Sequence, residues 1–590
     1  MRYKHPIFQH QEEGESNATT SAPLSLFIIC VLALLAGYIG WLQLYKSREM
    51  DAWAQRQQDS IAIIPGRRGN LLDRNGVELN KSLPSYSLAL HIERLRDPRD
   101  TQRRTLDKVC SAVADLAAFL GPDFYHSRPT RQEARKHIQR NTPLPFTLWK
   151  DVDKETIDKW AAARAQFPGT ELVLAWKRHY EFPHSASLLR GKTGFGTPVF
   201  LPEFKRYSLS HLDLSGKSGL ELALDAKLSG TAGYEQLRID ALAYRQEIVS
   251  SSPATNGDDV TLTIDIALQQ EIEARLRMQH LAGAVVLMDL RTSEMLAAVS
   301  EPSFPLDGTG EPQPGTLVNR VLGGTYPPGS TLKPLVAIAA LQQGLVSPEE
   351  TIECVGFYAL PDGRQVGCSK RTGHGALNLE EALAYSCNVF FCELGSRLGP
   401  LFNNVGASTG LGEPPGTELR IQEKNGLRFI PEWVENHRSS LPRWTAGDAA
   451  NASIGQGAWL VSPIQLLIAL AAVADGKRHQ PTFILGAYQQ PAEQLDWDEE
   501  QLAIVRNGML KCTEYGTGKT MQVPGFNVLA KTGTAEVGQG KRPHALAFAA
   551  LPAEAPRLAC LCIIEHGGGG GKVAGPIVRQ TLQAALQKGF

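Results

Sequence analysis

The sequence predicts a mixed α/β protein of the α+β type, in which one mainly antiparallel sheet is packed with helices. Strand-like segments lie at both ends of the C-terminal half, near residues 260–299 and 527–564, and a largely helical stretch separates them. A single sheet that collects strands from both ends of a domain fits this pattern. An apolar segment near the N-terminus adds one transmembrane helix, and residues 46–255 are left for a separate domain.

The composition is that of a globular protein. The chain has 590 residues, 60 Lys and Arg against 61 Asp and Glu, a formal net charge of -1 and 43% hydrophobic residues. This near-neutral balance gives no broad basic surface for nucleic acid, and the hydrophobic content is too high for a disordered chain. Nine cysteines in a chain of this length do not form a disulfide scaffold.

The first predicted element is the transmembrane helix. Residues 16–45 contain no charged side chain, and residues 24–45 are almost wholly apolar. A helix needs about 20 apolar residues to cross a bilayer. The apolar run is longer than that of a signal peptide and no A-x-A-like cleavage site follows it, so we predict a retained span at residues 24–45 after a cytoplasmic tail at residues 1–23. A buried helix of a soluble protein is the alternative.

A hairpin is predicted soon after the span, because Asn75-Gly76 stands between two apolar stretches. Residues 97–200 are rich in Arg, Asp and helix-forming residues, show few clear strands, and fit a solvated spacer or a partner-binding lobe. The loop-forming run at residues 250–259 then marks a boundary. We predict a non-catalytic domain at residues 46–255 and a catalytic domain at residues 256–590.

The predicted elements of the C-terminal domain follow a definite order. They are a strand at residues 260–264, a helix from about Leu268, a strand pair in residues 282–299, a helical middle, strands near residues 527–530, 545–550 and 558–564, and a closing helix. The strands at the two ends pair in one sheet if the fold class is right.

The most informative stretch carries a candidate nucleophile. A rigid Pro-Pro-Gly entry delivers Ser330 to the start of a helix, and Lys333 follows on the same helix face within reach of the Ser330 hydroxyl. Residues 335–341 are apolar on all sides, which predicts a buried helix. A buried lysine has a lowered pKa, as a general base requires. Ser-x-x-Lys alone also occurs by chance on solvated helix surfaces.

Two further motifs follow in order, Ser386-Cys387-Asn388 after a predicted helix and Lys531-Thr532-Gly533-Thr534 after an apolar strand. On a strand, a lysine supplies positive charge, threonine hydroxyls can hold a substrate carboxylate, and glycine lets a substrate backbone lie close. Three motifs in this order match the nucleophile, Ser-Asn and Lys-Thr-Gly set of penicillin-binding proteins and serine β-lactamases.

The chain resembles a class B penicillin-binding protein, a membrane-anchored D,D-transpeptidase that cross-links peptidoglycan. Residues 66–76 and Gly219-Leu220-Glu221 are similar to signatures of its non-catalytic half, and residues 455–465 to a third. Residues 326–334 and 373–378 are most similar to penicillin-binding protein 2, the elongation-type subclass. The implied fold is a β-lactamase-like transpeptidase domain behind an elongated pedestal, or dimerisation, domain.

The resemblance implies a role for each motif residue. Ser330 would be acylated, releasing the terminal D-Ala, with the N–H groups of Ser330 and Thr534 as the oxyanion hole. The implied roles are Ser330 as nucleophile, Lys333 as its base, Ser386 and Asn388 as proton relay and substrate clamp, and Lys531, Thr532, Gly533 and Thr534 as the carboxylate-binding strand.

Four residues form a candidate metal site: Cys354, Cys368, His374 and Cys387, spaced C-x13-C-x5-H-x12-C. Three Cys with one His are a tetrahedral structural zinc set. The irregular spacing leaves a second interpretation open, a Cys354–Cys368 disulfide with Cys387 buried and His374 capping a turn. The resemblance implies zinc, which would fix the turn that aims Ser386 and Asn388. No organic cofactor is expected.

The resemblance also implies partners and a location. The substrates would be peptidoglycan stem peptides ending in D-Ala-D-Ala, with β-lactams as inhibitors, and the partners a SEDS-type, RodA-like glycosyltransferase and other elongation-complex proteins. The protein would cross the bacterial inner membrane once, with its catalytic domain in the periplasm. Three alternatives stay open: a division-type class B protein, a non-catalytic scaffold, and a β-lactamase or β-lactam sensor, although no Glu-x-x-Leu-Asn motif supplies a deacylating Glu.

Overall fold

The computed structural model describes residues 22–45, 59–97, 100–139, 145–195, 199–200, 210–211, 214–239, 245–437, 444–487, 491–538 and 540–590. Most of the predicted cytoplasmic tail, residues 1–21, lies outside the described residues. Two compact units are present, one from residues 1–64 and 233–253 and the other from residues 65–232 and 254–590. The domain boundary predicted near residue 256 stays a prediction.

The N-terminal half supplies twelve strands and eight helices within the described residues. The strands are β1 (Asp59–Ile64), β2 (Leu71–Leu72), β3 (Glu78–Leu90), β4 (Phe146–Trp149), β5 (Thr170–Tyr180), β6 (Thr193–Phe195), β7 (Val199–Phe200), β8 (Ser210–His211), β9 (Leu214–Gly216), β10 (Gly233–Ile239), β11 (Arg245–Ser252) and β12 (Val260–Thr261). The helices are α1 (Ala22–Tyr45), α2 (Gln102–Leu120), α3 (Pro122–His126), α4 (Arg131–Gln139), α5 (Lys154–Ala163), α6 (Ser187–Arg190), α7 (Gly219–Ala223) and α8 (Asp225–Leu228).

The first unit contains α1 and a three-stranded antiparallel sheet in the order β1-β10-β11. Residues Leu24–Gln43 of α1 have a mean hydropathy of 2.3, so α1 is long and apolar enough to cross a membrane. Its described side chains are exposed, Leu34 by 74%. The alternative of a helix buried in a soluble core is therefore not the arrangement found.

The N-terminal part of the second unit is built on a sheet in the order β12-β2-β3-β4, with β5 also paired to β3. The predicted hairpin is confirmed between β2 and β3, where Gly76 has a φ of 83° and Asp73 N donates to Val77 O at 2.8 Å. The sequence of residues 97–200 predicts few clear strands, but β5 is eleven residues long. Its middle is half-buried, so no clean alternation marks it.

A buried ion cluster joins the first two signature segments. Glu221, which is fully buried, accepts from Arg68 Nε at 2.8 Å and from Arg178 Nε at 2.7 Å. Asn80 Nδ2 donates to the same carboxylate at 2.8 Å. Two buried guanidinium groups thus share one carboxylate, and Arg68 also donates to Asp225 Oδ1 at 2.6 Å. Glu221 is the buried carboxylate that compensates both arginines.

The N-terminal sheet also receives the strand that opens the C-terminal half. The strand predicted at residues 260–264 is shortened to β12, and Val260 pairs in parallel with Leu71 of β2. Close by, Asp73 Oδ2 accepts from Ile266 N at 3.2 Å. The hairpin therefore holds the start of the helix that follows β12.

The C-terminal half supplies eleven strands and nine helices within the described residues. The strands are β13 (Gly283–Asp289), β14 (Glu294–Glu301), β15 (Ile352–Cys354), β16 (Phe357–Ala359), β17 (Gln365–Gly367), β18 (Gly375–Leu377), β19 (Lys477–Arg478), β20 (Glu493–Gln494), β21 (Leu529–Ala535), β22 (His544–Leu551) and β23 (Leu558–Ile564). The helices are α9 (Ile266–Met278), α10 (Lys333–Gln342), α11 (Leu379–Ala384), α12 (Asn388–Leu398), α13 (Pro431–His437), α14 (Ala446–Ser453), α15 (Pro463–Asp475), α16 (Glu499–Glu514) and α17 (Gly570–Gln587).

The central sheet runs in the order β14-β13-β23-β22-β21, and all its pairs are antiparallel. It collects strands from both ends of the domain around a helical middle, which confirms the predicted fold class. Helices cover both faces. Val285 and Leu287 pack in a core with α9 and α17, and Ala284 and Val286 pack in a second core with α10 and α15. β21 ends this order and pairs only with β22, so it is an edge strand of the sheet.

Candidate active site

Ser330 lies in a tight turn that leads into the buried helix α10. The sequence predicts Ser330 at a helix start, and the structure places it in one 3-10 turn, Gly329–Leu332, directly before α10. We call Gly329–Leu332 the nucleophile turn. Side chains three residues apart eclipse one another in a 3-10 helix, so Ser330 and Lys333 share one face. The Ser330 hydroxyl is half-buried and makes no hydrogen bond to the described residues, which leaves it available to a substrate.

The third signature, residues 455–465, contacts the nucleophile turn through Gly455. Gly455 has a φ of 69°, and its carbonyl accepts from Gly329 N at 2.9 Å. A Cβ at residue 455 would overlap the backbone of Gly329. Only glycine therefore allows this close approach of two backbones, and the approach holds the nucleophile turn in place.

Lys333 is fully buried and reaches the second motif. Its Nζ donates to Ser386 O and to Asn388 Oδ1, both at 2.7 Å, and lies 3.2 Å from Ser386 Oγ. Burial lowers the pKa of Lys333 to about 7, and the nearby charge of Lys531 adds to this effect. A substantial fraction of Lys333 is therefore a neutral amine near neutral pH, which can accept a proton.

Ser386 connects the two lysines. It stands between α11 and α12 with a φ of 56°, a backbone conformation that costs about 1–2 kcal/mol in a residue other than glycine. Lys531 Nζ donates to Ser386 Oγ at 2.9 Å, so both lysines contact this one hydroxyl. Burial lowers the pKa of Lys531 to about 8, so Lys531 keeps its charge at neutral pH more fully than Lys333 does.

The Lys-Thr-Gly motif lies in the edge strand β21. Thr532 Oγ1 is 2.6 Å from Thr517 Oγ1, and Thr534, two residues on along the same strand face, is exposed. A Cβ at Gly533 would lie 2.9 Å from Thr331 Cγ2, so the glycine lets β21 pack directly against the nucleophile turn. The structure thus brings the three predicted motifs together on one cleft.

Cys354, Cys368, His374 and Cys387 form a cluster whose candidate ligand atoms all lie within 4.8 Å of one another. The nine cysteines, all within the described ranges, are free thiols, so the alternative of a Cys354–Cys368 disulfide is not the arrangement found. Cys354 Sγ and Cys368 Sγ are each 3.5 Å from His374 Nδ1, and the Sγ atoms of Cys368 and Cys387 are 3.9 Å apart.

These distances fit a tetrahedral metal. Zinc bonds of about 2.3 Å to sulfur and about 2.0 Å to nitrogen separate two sulfurs by about 3.8 Å and a sulfur from a nitrogen by about 3.5 Å. A hydrogen bond from the Cys387 thiol lowers the pKa of Cys368 far below its ordinary value. Thiolates are the form that binds metals, so Cys368 favours the ligand form, whereas the same hydrogen bond raises the pKa of Cys387, whose thiol would lose its proton on binding the metal.

The cluster is joined to the catalytic motif through Asn388. The Asn388 backbone N–H donates to Cys368 Sγ at 3.4 Å, and its Nδ2 donates to Gly367 O at 2.9 Å, while its Oδ1 accepts from Lys333. The segment before Cys368 therefore positions Asn388. Sequence reasoning missed the contacts of Gly367 and Thr517, because neither residue belongs to a motif and no periodicity marks them.

Comparison with known proteins agrees with this geometry. Residues 283–583 match the family described as penicillin binding protein transpeptidase domain, and residues 63–262 match the penicillin-binding protein dimerisation domain. The chain is 28% identical over 594 residues to the peptidoglycan D,D-transpeptidase MrdA of Acinetobacter baumannii, an alignment that covers 93% of this chain and 85% of that protein.

Two solved structures share the fold. A structure of the complex between PBP2 and MreC from Helicobacter pylori aligns with a TM-score of 0.74 at 24% identity, covering 90% of this chain and 99% of that chain. A chain of a peptidoglycan synthase complex aligns with a TM-score of 0.66 at 25% identity, covering 96% of this chain and 98% of that chain. The family match spans half of the sequence and places all three motifs in one domain, so this chain belongs to the penicillin-binding protein transpeptidase family.

Proposed function

We propose that this protein is a peptidoglycan D,D-transpeptidase of the elongation type, which cross-links stem peptides through an acyl-enzyme on Ser330. The observation that carries the proposal is the contact of two buried lysines, from two different motifs, with one serine hydroxyl beside the nucleophile turn. The similarity to MrdA over most of the chain supports the substrate class and the subclass.

The first half-reaction forms the ester. Ser330 Oγ attacks the carbonyl carbon between the two D-Ala residues of a stem peptide, and neutral Lys333 accepts the hydroxyl proton. The tetrahedral intermediate places its negative oxygen against backbone N–H groups of Ser330 and Thr534. When the C–N bond breaks, the proton returns through Ser386 to the leaving amine, and free D-Ala departs.

The second half-reaction transfers the acyl group. An amine from a neighbouring stem peptide attacks the ester carbonyl and gives up a proton to Lys333. The C–O bond to Ser330 then breaks, the new peptide bond is complete, and the serine hydroxyl is restored. Charged Lys531 and the hydroxyls of Thr532 and Thr534 hold the terminal carboxylate of the donor, and Asn388 holds its backbone.

The Cys354, Cys368, His374 and Cys387 cluster would hold a structural zinc ion. A closed set of four protein ligands leaves no open position, so the metal would contribute rigidity and no reaction chemistry. That rigidity reaches the cleft through Asn388, which bonds both the cluster and Lys333.

The same proposal includes a location and partners. α1 would anchor the chain in the cytoplasmic membrane, with the remaining domains on the periplasmic side. The related structures named for PBP2 with MreC and for polymerization and crosslinking by a peptidoglycan synthase complex support an MreC-like partner and a polymerising partner. For the polymerising partner we propose a glycosyltransferase of the RodA type.

A labelling experiment tests the catalytic proposal. Detergent-purified protein is incubated with penicillin, digested and mapped by mass spectrometry. We expect one penicilloyl adduct on Ser330 that lasts for hours, and none in Ser330→Ala. An unmodified Ser330 would contradict the transpeptidase proposal, and an adduct that hydrolyses within seconds would support the β-lactamase alternative instead.

A further inference from the structure

The loop that follows α16 contacts the active site although it carries none of the three motifs. Thr517 N donates to Ala384 O at 3.1 Å, just before the Ser386 turn, and Thr517 Oγ1 lies 2.6 Å from Thr532 Oγ1 in β21. The Thr517 side chain is exposed, whereas Thr532 is only 7% exposed. Thr517 therefore connects the second motif to the third at the cleft surface.

Behind Thr517 lies a buried thiol. Cys512 Sγ is 3.5 Å from Thr517 Oγ1, and Cys512 is fully buried. Three groups thus form one line from the interior to the cleft: the Cys512 thiol, the Thr517 hydroxyl and the Thr532 hydroxyl. Each has a single hydrogen to donate, so the short contact between the two hydroxyls has two possible directions: Thr517 donates to Thr532, or Thr532 donates to Thr517.

A bound ligand carboxylate determines which of the two hydroxyls, Thr517 or Thr532, donates to the other. An ionised carboxylate accepts hydrogen bonds and donates none, so a ligand carboxylate beside Thr532 requires Thr517 to be the donor. The Cys512 thiol then donates to Thr517, Thr517 donates to Thr532, and the Thr532 hydrogen is left free for the ligand. Hydrogen bonds aligned in this way strengthen one another.

We propose that Thr517 is a positioning residue for carboxylate recognition, which directs the Thr532 hydroxyl hydrogen into the cleft toward the terminal carboxylate of the donor peptide. The proposal deepens the transpeptidase function and rests on it. Thr517 acts through Thr532 and takes no part in proton transfer to or from Ser330. Its loss should therefore weaken recognition of a carboxylate and leave the reactivity of Ser330 unchanged.

The test compares benzylpenicillin with its methyl ester, which lacks the free carboxylate, on full-length protein. Second-order rate constants of acylation are measured for wild type, Thr517→Val and Thr517→Ser. For Thr517→Val we expect the constant for the acid to fall about five- to thirty-fold, because a charge-assisted hydrogen bond is weakened. The constant for the ester should stay unchanged, and Thr517→Ser should restore the acid constant.

Thr255→Val is the matched control, because Thr231 and Thr255 form another exposed pair of threonine hydroxyls, outside the motifs. It should leave both rate constants unchanged. The inference about Thr517 would be overturned if Thr517→Val lowered the acylation rate constants for acid and ester equally, or lowered neither. In both cases the acylation of wild type would still support the proposed function. Failure of wild type to form any penicilloyl adduct would overturn both.

Discussion

The two buried lysines predict a bell-shaped pH dependence of Ser330 acylation. Lys333 must be neutral to accept a proton, and its pKa is lowered to about 7, so the rate rises as the pH rises through that value. Lys531 must be charged to hold a carboxylate, and its pKa is lowered to about 8, so the rate falls as the pH rises further.

The size of the effect follows from these two values. The fraction of molecules with neutral Lys333 and charged Lys531 is about 0.1 at about pH 6, about 0.6 at about pH 7.5 and about 0.1 again at about pH 9. Acylation should therefore rise about six-fold and then fall about six-fold across this range. The two limbs report macroscopic pKa values of the lysine pair.

A single substitution distinguishes the acid limb of the pH profile, assigned to Lys333, from the alkaline limb, assigned to Lys531. A guanidinium stays charged throughout this pH range, so Lys531→Arg should lose the alkaline limb and keep the acid limb. The assay is the second-order rate constant for a fluorescent penicillin, measured across the range at constant ionic strength. A flat profile in wild type, or an alkaline limb that persists in Lys531→Arg, would refute the assignment of the two lysines.

Three further predictions concern residues around the cleft and the pedestal. Cys387→Ser should lower the zinc content of the purified protein, measured by elemental analysis, and slow acylation about ten-fold or more, measured by penicillin labelling. An unchanged metal content would argue against the proposed ligand set. Glu221→Gln should cost about 3–5 kcal/mol of stability, because two buried guanidinium groups lose their shared negative charge. Asp259→Asn, in an exposed ion pair, should cost only about 0–1 kcal/mol. Urea denaturation compares the two variants, and equal unfolding midpoints would contradict the reasoning. Gly455→Ala should slow acylation by displacing the nucleophile turn, whereas Gly344→Ala, with a similar positive φ and open space around it, should lose only stability; equal acylation rates would show that the close approach is not needed.

The sequence predicts the central sheet and the three motifs well, for physical reasons. Both faces of the sheet are covered, so β13, β22 and β23 are uninterrupted buried runs that are visible in the sequence. Lys333 directly follows the nucleophile turn that carries Ser330, so their spacing of three residues alone places them on one face. The clustering of the other motif residues follows from family resemblance, since no local rule brings β21 to the nucleophile turn.

The features that the sequence does not predict depend on contacts between residues far apart in the chain. Spacing allowed Cys354 and Cys368 either a disulfide or a metal site. The resemblance favoured the metal site, and the close grouping of three sulfur atoms with the His374 ring supports it. Thr517 has no sequence signal, because its role comes from a side-chain contact with Thr532 across the fold. β5 was missed because its half-buried residues interrupt the alternation that reveals a strand.

The parallel pairing of β12 with β2 limits how this protein can be divided. A truncated catalytic fragment that begins after residue 256 would lose the ladder partner of Val260 and the carboxylate that accepts from Ile266 N. An open strand edge of this kind invites self-association. We therefore expect the pedestal to protect the catalytic half from aggregation, and mutations near Asp73, far from Ser330 in sequence, to reduce the yield of soluble enzyme before they alter its chemistry.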